Sequence, residues 1–207
     1  MARPLDIINA AHSAFRTDMA AIDAAALRAA RGESGLDGTV GRFWRMDEVL
    51  VWHADGEEKG IFPKLERVAP DVIAAYEMDH RGLDVAFDAL RSAVSERDPI
   101  ETARATAAFK FHLDLHLLKE DRHLYVLFEE RLSDEEQAGA VAGLASGVPN
   151  GRFGDFIGWL FPLIGDQDRE NVLTYWRSAM PPDVFPGVHD LAEAAISGAS
   201  PEGSTST

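Results

Sequence analysis

Cysteine is absent from all 207 residues. That excludes disulfide frameworks, thiolate nucleophiles, iron–sulfur clusters and Cys-ligated zinc. Positive charge is scarce: 20 Lys and Arg stand against 35 Asp and Glu, a formal charge of −15. Such a surface repels phosphate, so neither nucleic acid nor an anionic membrane is an expected partner. No apolar run approaches the roughly 18 residues of a membrane span. The N-terminus from Met1 to Phe15 lacks the apolar stretch and cleavage pattern of a signal peptide, so the expected location is the cytoplasm. The glycines form neither a P-loop nor a dinucleotide fingerprint, and no Gly-x-Ser-x-Gly elbow occurs. Any metal would have to be held by His, carboxylate or Tyr.

What is present is helical. Ala-, Leu-, Glu- and Arg-rich segments recur, and Val/Ile/Thr alternation is scarce. The pattern predicts helices over residues 4–30, 39–67, 70–96 and 99–131, the second kinked or ended by Pro63 and the last opened by Asp98-Pro99. Long helices joined by short loops predict an all-α, up-down-up-down four-helix bundle over residues 1–131. A C-terminal helical extension follows over 132–198. It opens on the capping box Ser133 to Glu136, and Asp166 is expected to cap a later helix. Residues 199–207 read as a disordered tail. No internal repeat is evident. Trp159, Phe161, Tyr175 and Trp176 suggest a buried contact in the extension, and a homodimer is one expectation it raises.

The seven His residues carry the functional signal. His12 falls on the first helix, His53 and Glu57 on the second, Tyr76 and His80 on the third, and His112, His116, Glu120 and His123 on the fourth. A spacing of four puts side chains on one face. On helix two, Met46, Val49, Leu50, His53, Glu57 and Ile61 share a sector. On helix three, Val72, Tyr76, His80, Leu83, Phe87 and Leu90 align. On helix four, Phe109, Leu113, His116, Glu120, Leu124 and Leu127 do, with His112 and His123 at the edge. Ile8, His12, Phe15 and Met19 align on helix one. Each helix thus aims a metal-capable residue into an apolar core. Buried carboxylates without a cation cost several kcal/mol, and Arg16 is the only basic residue near these stripes. A bound metal, or two, resolves the conflict. Imidazole and carboxylate suit iron, manganese or zinc. The donor set exceeds one four-ligand zinc site and suits a two-metal centre that Glu57 and Glu120 could bridge.

His12, His53-x-x-x-Glu57 with Ile61-Phe62-Pro63, His80, and His116-x-x-x-Glu120-Asp121 with Leu124-Tyr125 together resemble the hemerythrin-like, or HHE cation-binding, family over residues 5–131. The resemblance implies a non-haem di-iron centre in a four-helix bundle. It implies His12, His53, His80 and His116 as terminal ligands and Glu57 and Glu120 as bridges. The chain departs from the oxygen-carrying hemerythrins in three places. Tyr76 replaces a His, the fourth-helix pair is His116 and Glu120 instead of His and an Asp five residues on, and His112 is added. Tyr76 is either a phenolate ligand or a pocket wall. His112 either serves the site by orienting His116 or relaying protons, or is a rim residue. A ferritin-like carboxylate site is disfavoured, because Glu77 sits about 90° off its stripe.

A phenolate on ferric iron would lower its potential, and Tyr is the proximal ligand of haem catalase. The favoured expectation is therefore a di-iron protein reacting with hydrogen peroxide, dioxygen or nitric oxide, catalase-like peroxide handling foremost. Tyr76 would tune the metals and His112 would shuttle protons. The alternatives are a non-enzymatic reversible oxygen binder or iron/oxygen sensor, and a structural bundle with adventitious metal.

Overall fold

The computed structural model describes residues 2–198; the tail read at 199–207 lies outside them. Among the described residues the chain is helical and has no strand. It divides into two compact units, Phe15–Gly147 on one hand and the residues up to 14 with those from 148 onward on the other. The division falls inside the first helix, α1 (Pro4–Ala30), which runs unbroken across it.

The larger unit holds the bundle. Gly32, at φ +74°, closes α1: its N–H reaches the Ala29 carbonyl while Glu33 N–H reaches Arg28, so the last carbonyls are satisfied. The second arm is α2 (Asp37–Gly56), a π-helical turn (Glu57–Ile61) and α3 (Phe62–Glu66). Pro63 therefore does not end the arm. It sits in the first turn after the widened segment, where a missing N–H is tolerated. The third arm, α4 (Pro70–Glu96), ends at Arg97, φ +58°. Asp98 then caps α5 (Pro99–Lys119), its Oδ1 accepting from the amides of Ile100 at 2.9 Å and Glu101 at 3.1 Å. A second π-helical turn (Glu120–Leu124) joins α5 to α6 (Tyr125–Arg131).

The arms form the four-helix bundle, and the core is aromatic and aliphatic. Phe15, Phe43, Met46, Leu90, Phe109 and Leu113 have no exposed surface, and Phe87 stacks on Phe109 at 4.5 Å. Ile73, not the half-exposed Val72, begins the inward stripe of α4. The helix α7 (Asp134–Ala145) opens on the Ser133–Glu136 capping box and belongs to this same unit. It lies against the first π turn through glycine: a Cβ on Gly60 would stand 2.4 Å from the Leu144 amide, and one on Gly56 2.4 Å from the Leu144 carbonyl oxygen. Backbone meets backbone directly behind Glu57.

In the smaller unit, α8 (Phe153–Leu160), a 3-10 turn (Phe161–Leu163), α9 (Asp166–Ala179) and α10 (Phe185–Ser197) follow in order. Trp176 gathers Phe153 at 5.3 Å and Phe161 at 5.8 Å. Gly165, not Asp166, is the cap of α9; Asp166 lies in the first turn and pairs with Arg169 at 2.9 Å.

Candidate metal centre

Each π turn begins on a carboxylate of the centre. His53 lies in the last turn of α2, four residues before Glu57, and His116 in the last turn of α5, four residues before Glu120; His80 faces both from α4. The Nε2 atoms converge on the carboxylates. His53 lies 3.3 Å from Glu57, His116 3.1 Å from Glu120, and His80 3.5 Å from Glu57 and 3.9 Å from Glu120. All five residues are buried. Glu57, His80, His116 and Glu120 each offer a ligand atom within 4.8 Å of the others, and so, in an overlapping group, do His53, Glu57 and Glu120. Both carboxylates belong to both groups. His12 is buried on α1. Phe15, one turn further along that helix, sets its ring edge-on to His53 at 5.2 Å.

A set of surrounding contacts fixes these groups. Glu58 accepts from His80 Nδ1 at 2.9 Å, which leaves Nε2 as the atom facing inward. Phe62 packs against the same imidazole at 5.2 Å. The Tyr125 hydroxyl donates to Glu57 Oε1. Arg16, the cation expected near the stripes, pairs with Asp121 at 2.5 Å.

Tyr76 is buried, and its hydroxyl donates to the Lys119 carbonyl at 2.8 Å. The phenol is thus tied to the residue that precedes the second π turn, while its ring stands 6.4 Å from that of His116. His112 is exposed and lines a cleft with Asp79, Leu115, His116 and Lys119. His123 is exposed.

Tyr125 carries a role that the inward stripes did not assign. The signal was a local match between two arms: His53-x-x-x-Glu57-Glu58-x-x-Ile61-Phe62 parallels His116-x-x-x-Glu120-Asp121-x-x-Leu124-Tyr125. Both stretches contain a π turn at the same place. The partners then diverge. Glu58 holds the His80 imidazole where Asp121 holds Arg16, and Tyr125 carries a hydroxyl where Phe62 has none.

The electrostatics are those of a cation site. Burial pushes the Glu57 carboxyl up, but His53 and His80 outweigh it and hold the group well below the usual carboxylate range. Glu120 is also lowered: burial and the Glu57 charge act upward, and His116 and His80 prevail. Burial lowers His80, yet the neighbouring carboxylates of Glu120, Glu57 and Glu58 raise it to about 11. His53 is likewise raised, against burial, by Glu57. Burial and the Glu57 charge raise the Tyr125 phenol; burial and the Glu120 charge raise Tyr76. Protons on imidazole therefore take the place of a cation between the carboxylates. Glu57 Oε2 is fully buried and has no hydrogen bond. Nitrogen and oxygen donors so arranged fit a divalent or trivalent metal.

A partly open pocket leads to the centre. Leu50, Leu83, Phe87, Phe109 and Leu113 form its walls, and His53, Glu57, His80 and His116 its floor.

A helical bundle that buries imidazoles and carboxylates around one point is a metal-binding domain of the His/Glu type. The family model described as the hemerythrin HHE cation binding domain matches residues 3–128, and the chain belongs to that family. Among curated proteins it is similar to the zinc finger protein BRUTUS of Arabidopsis thaliana, 25% identical over 146 residues, which are 68% of this chain and 12% of that protein. Two BRUTUS-like zinc finger proteins of the same plant are each 24% identical over 175 and 180 residues, 78% and 82% of this chain and 14% of each of theirs. The chain thus spans only a small part of these relatives, and without Cys it carries no Cys-ligated finger of its own. No solved structure matches it significantly.

Proposed function

We propose that this chain is a non-haem di-iron protein that decomposes hydrogen peroxide. The observation that carries the reading is the sharing of Glu57 and Glu120 by two overlapping donor groups. His80 and His116 would serve one ion and His53 the other, with both carboxylates between them. His12 would complete the second set, since α1 carries it one turn ahead of the Phe15 that packs on His53. Manganese or zinc accepts the same donors. Iron bound there supplies a redox couple that can take electrons from one peroxide and give them to another.

The chain's own residues do the rest. The apolar walls admit a small neutral molecule and exclude larger reductants. Glu58 fixes the His80 tautomer so that Nε2 stays available to metal. Tyr76 keeps its proton on the Lys119 carbonyl and serves as the wall beside His116. His112, at the mouth of the cleft that reaches His116, takes up and releases protons at the solvent boundary. Two peroxides yield one dioxygen and two waters, so the reaction needs no outside electron donor and no net proton.

A second reading, reversible binding of dioxygen or nitric oxide, draws support from the apolar pocket walls. One experiment separates them. Protein loaded anaerobically with ferrous iron is exposed to peroxide in an oxygen electrode, and a matched sample is cycled between air and argon. Catalytic oxygen release, lost in His116→Ala, is the expected result. Reversible colour change on air cycling without oxygen release from peroxide would replace this reading with the second. Fewer than two iron ions per chain after loading would overturn the di-iron reading.

A further inference from the structure

The two His-x-x-x-Glu arms are matched residue for residue, yet only one of them places a phenol on the centre. Tyr125, the first residue after the second π turn, is fully buried and donates to Glu57 Oε1 at the start of the first. Phe62, its counterpart, has no hydroxyl and packs on His80. Glu57 Oε1 also faces His53, while Oε2 faces His80. The phenol therefore acts on the carboxylate that spans the imidazoles of both groups.

We infer that Tyr125 is a positioning residue for the metal centre, resting on the di-metal reading above. Its hydrogen bond holds the Glu57 carboxylate plane so that Oε1 is turned toward His53 and Oε2 toward His80. A carboxylate with one oxygen tied in this way cannot swing to chelate a single ion through both oxygens, so the bridge is retained. Both ions of the di-metal reading would share this carboxylate, so losing the hydrogen bond would speed the release of both. Contacts of this kind to a ligand typically change metal affinity by about 10- to 100-fold.

The probe is ferrous iron, loaded anaerobically into the full chain and withdrawn by excess chelator. Tyr125→Phe keeps the ring and is expected to speed iron release at least tenfold. Phe128→Leu, which loosens packing beside the Tyr125 ring without touching the hydroxyl, is expected to leave release within twofold. Unchanged release in Tyr125→Phe overturns the inference, as does equal acceleration in Phe128→Leu, which would assign the effect to packing. If wild type binds fewer than two ions, the di-metal reading fails first. A readout independent of variant folding is the phenolic proton of the wild type. It should exchange slowly and resonate downfield, and it should move when diamagnetic zinc is added; a metal-insensitive resonance also overturns the inference.

Discussion

A Cβ on Gly143 would stand 2.8 Å from the Cα of Gly60, so α7 and the first π turn touch through bare backbone. Gly60 lies between Glu57 and Leu65 on the arm that carries the centre, and no flexible side chain stands at the contact to give way. Gly60→Ala is expected to destabilise the protein by about 2 kcal/mol or more, since overpacking against backbone cannot relax by a rotamer change. Gly139→Ala, on the same helix α7 with open space around it, is expected to be neutral or stabilising by up to about 1 kcal/mol. Thermal melts of both variants, with and without iron, check this. Equal melting of the two would refute the close-packing argument.

Glu58 holds His80 from outside the pocket at 2.9 Å. Glu58→Ala is expected to weaken ferrous iron binding by about tenfold or more, while Glu58→Gln, which keeps an acceptor oxygen, recovers part of the loss. Because the Glu58 side chain is half-exposed, the metal-free melt should shift little. Chelator competition gives the affinity, and an unaltered affinity in Glu58→Ala would remove Glu58 from the site.

The metal-free protein should be most stable in a narrow pH range. His80 is raised to about 11. Its contribution is therefore complete below the ordinary imidazole value of about 6.5 and is lost as pH climbs toward its folded value. Glu57 and Glu120 are lowered, so their contributions are complete above the ordinary carboxylate value near about 4.3 and are lost as pH falls. Metal-free stability should peak between these two values and decline on either side. Iron binding displaces the imidazole protons, so the melting-temperature gain on loading should widen from pH 6 to pH 8. Melts across that range, loaded and unloaded, measure both slopes; a gain that shrinks as pH rises contradicts the proton-for-metal exchange.

Tyr76→Phe should leave the visible spectrum of the ferric protein unchanged, because the hydroxyl is engaged by the Lys119 carbonyl. It should cost about 1 kcal/mol of stability by removing that hydrogen bond. Loss of a charge-transfer band in the variant would instead make Tyr76 a phenolate ligand.

The helices were legible because their ends are chemical. Pro70, Asp98-Pro99 and Ser133 through Glu136 are start signals, and Gly32 is a stop signal. The buried donors were legible because His53, Glu57, His80, His116 and Glu120 break otherwise apolar stripes. The π turns were harder to see, since no residue type specifies one. Their trace is a run of steps of four: His53, Glu57, Ile61 and Leu65 on one arm, and His116, Glu120, Leu124 and Phe128 on the other, all buried. In an ideal α-helix such a row drifts about 120° over its length, so it stays inside only if a turn widens. Tyr125 stood one residue off that row, and its reach to Glu57 depends on how two arms meet in space. The grouping of α7 with the bundle likewise rests on glycines 80 or so positions apart, whose meeting is a matter of tertiary geometry.

Each widened turn is in effect one additional residue accommodated within a helix. Removing Lys59 from the first, or Arg122 from the second, would restore ordinary helix and rotate everything beyond it by about 100° relative to the carboxylate before it. Leu65 or Phe128 would then leave the core, and Gly60 would turn away from α7. Both Lys59 and Arg122 are exposed, so almost any side chain is tolerable at either position. Related chains should therefore vary freely at these two positions and hardly at all in the length of the turns, whose carboxylates, Gly60 and buried Ile61 and Leu124 are held in place by that spacing.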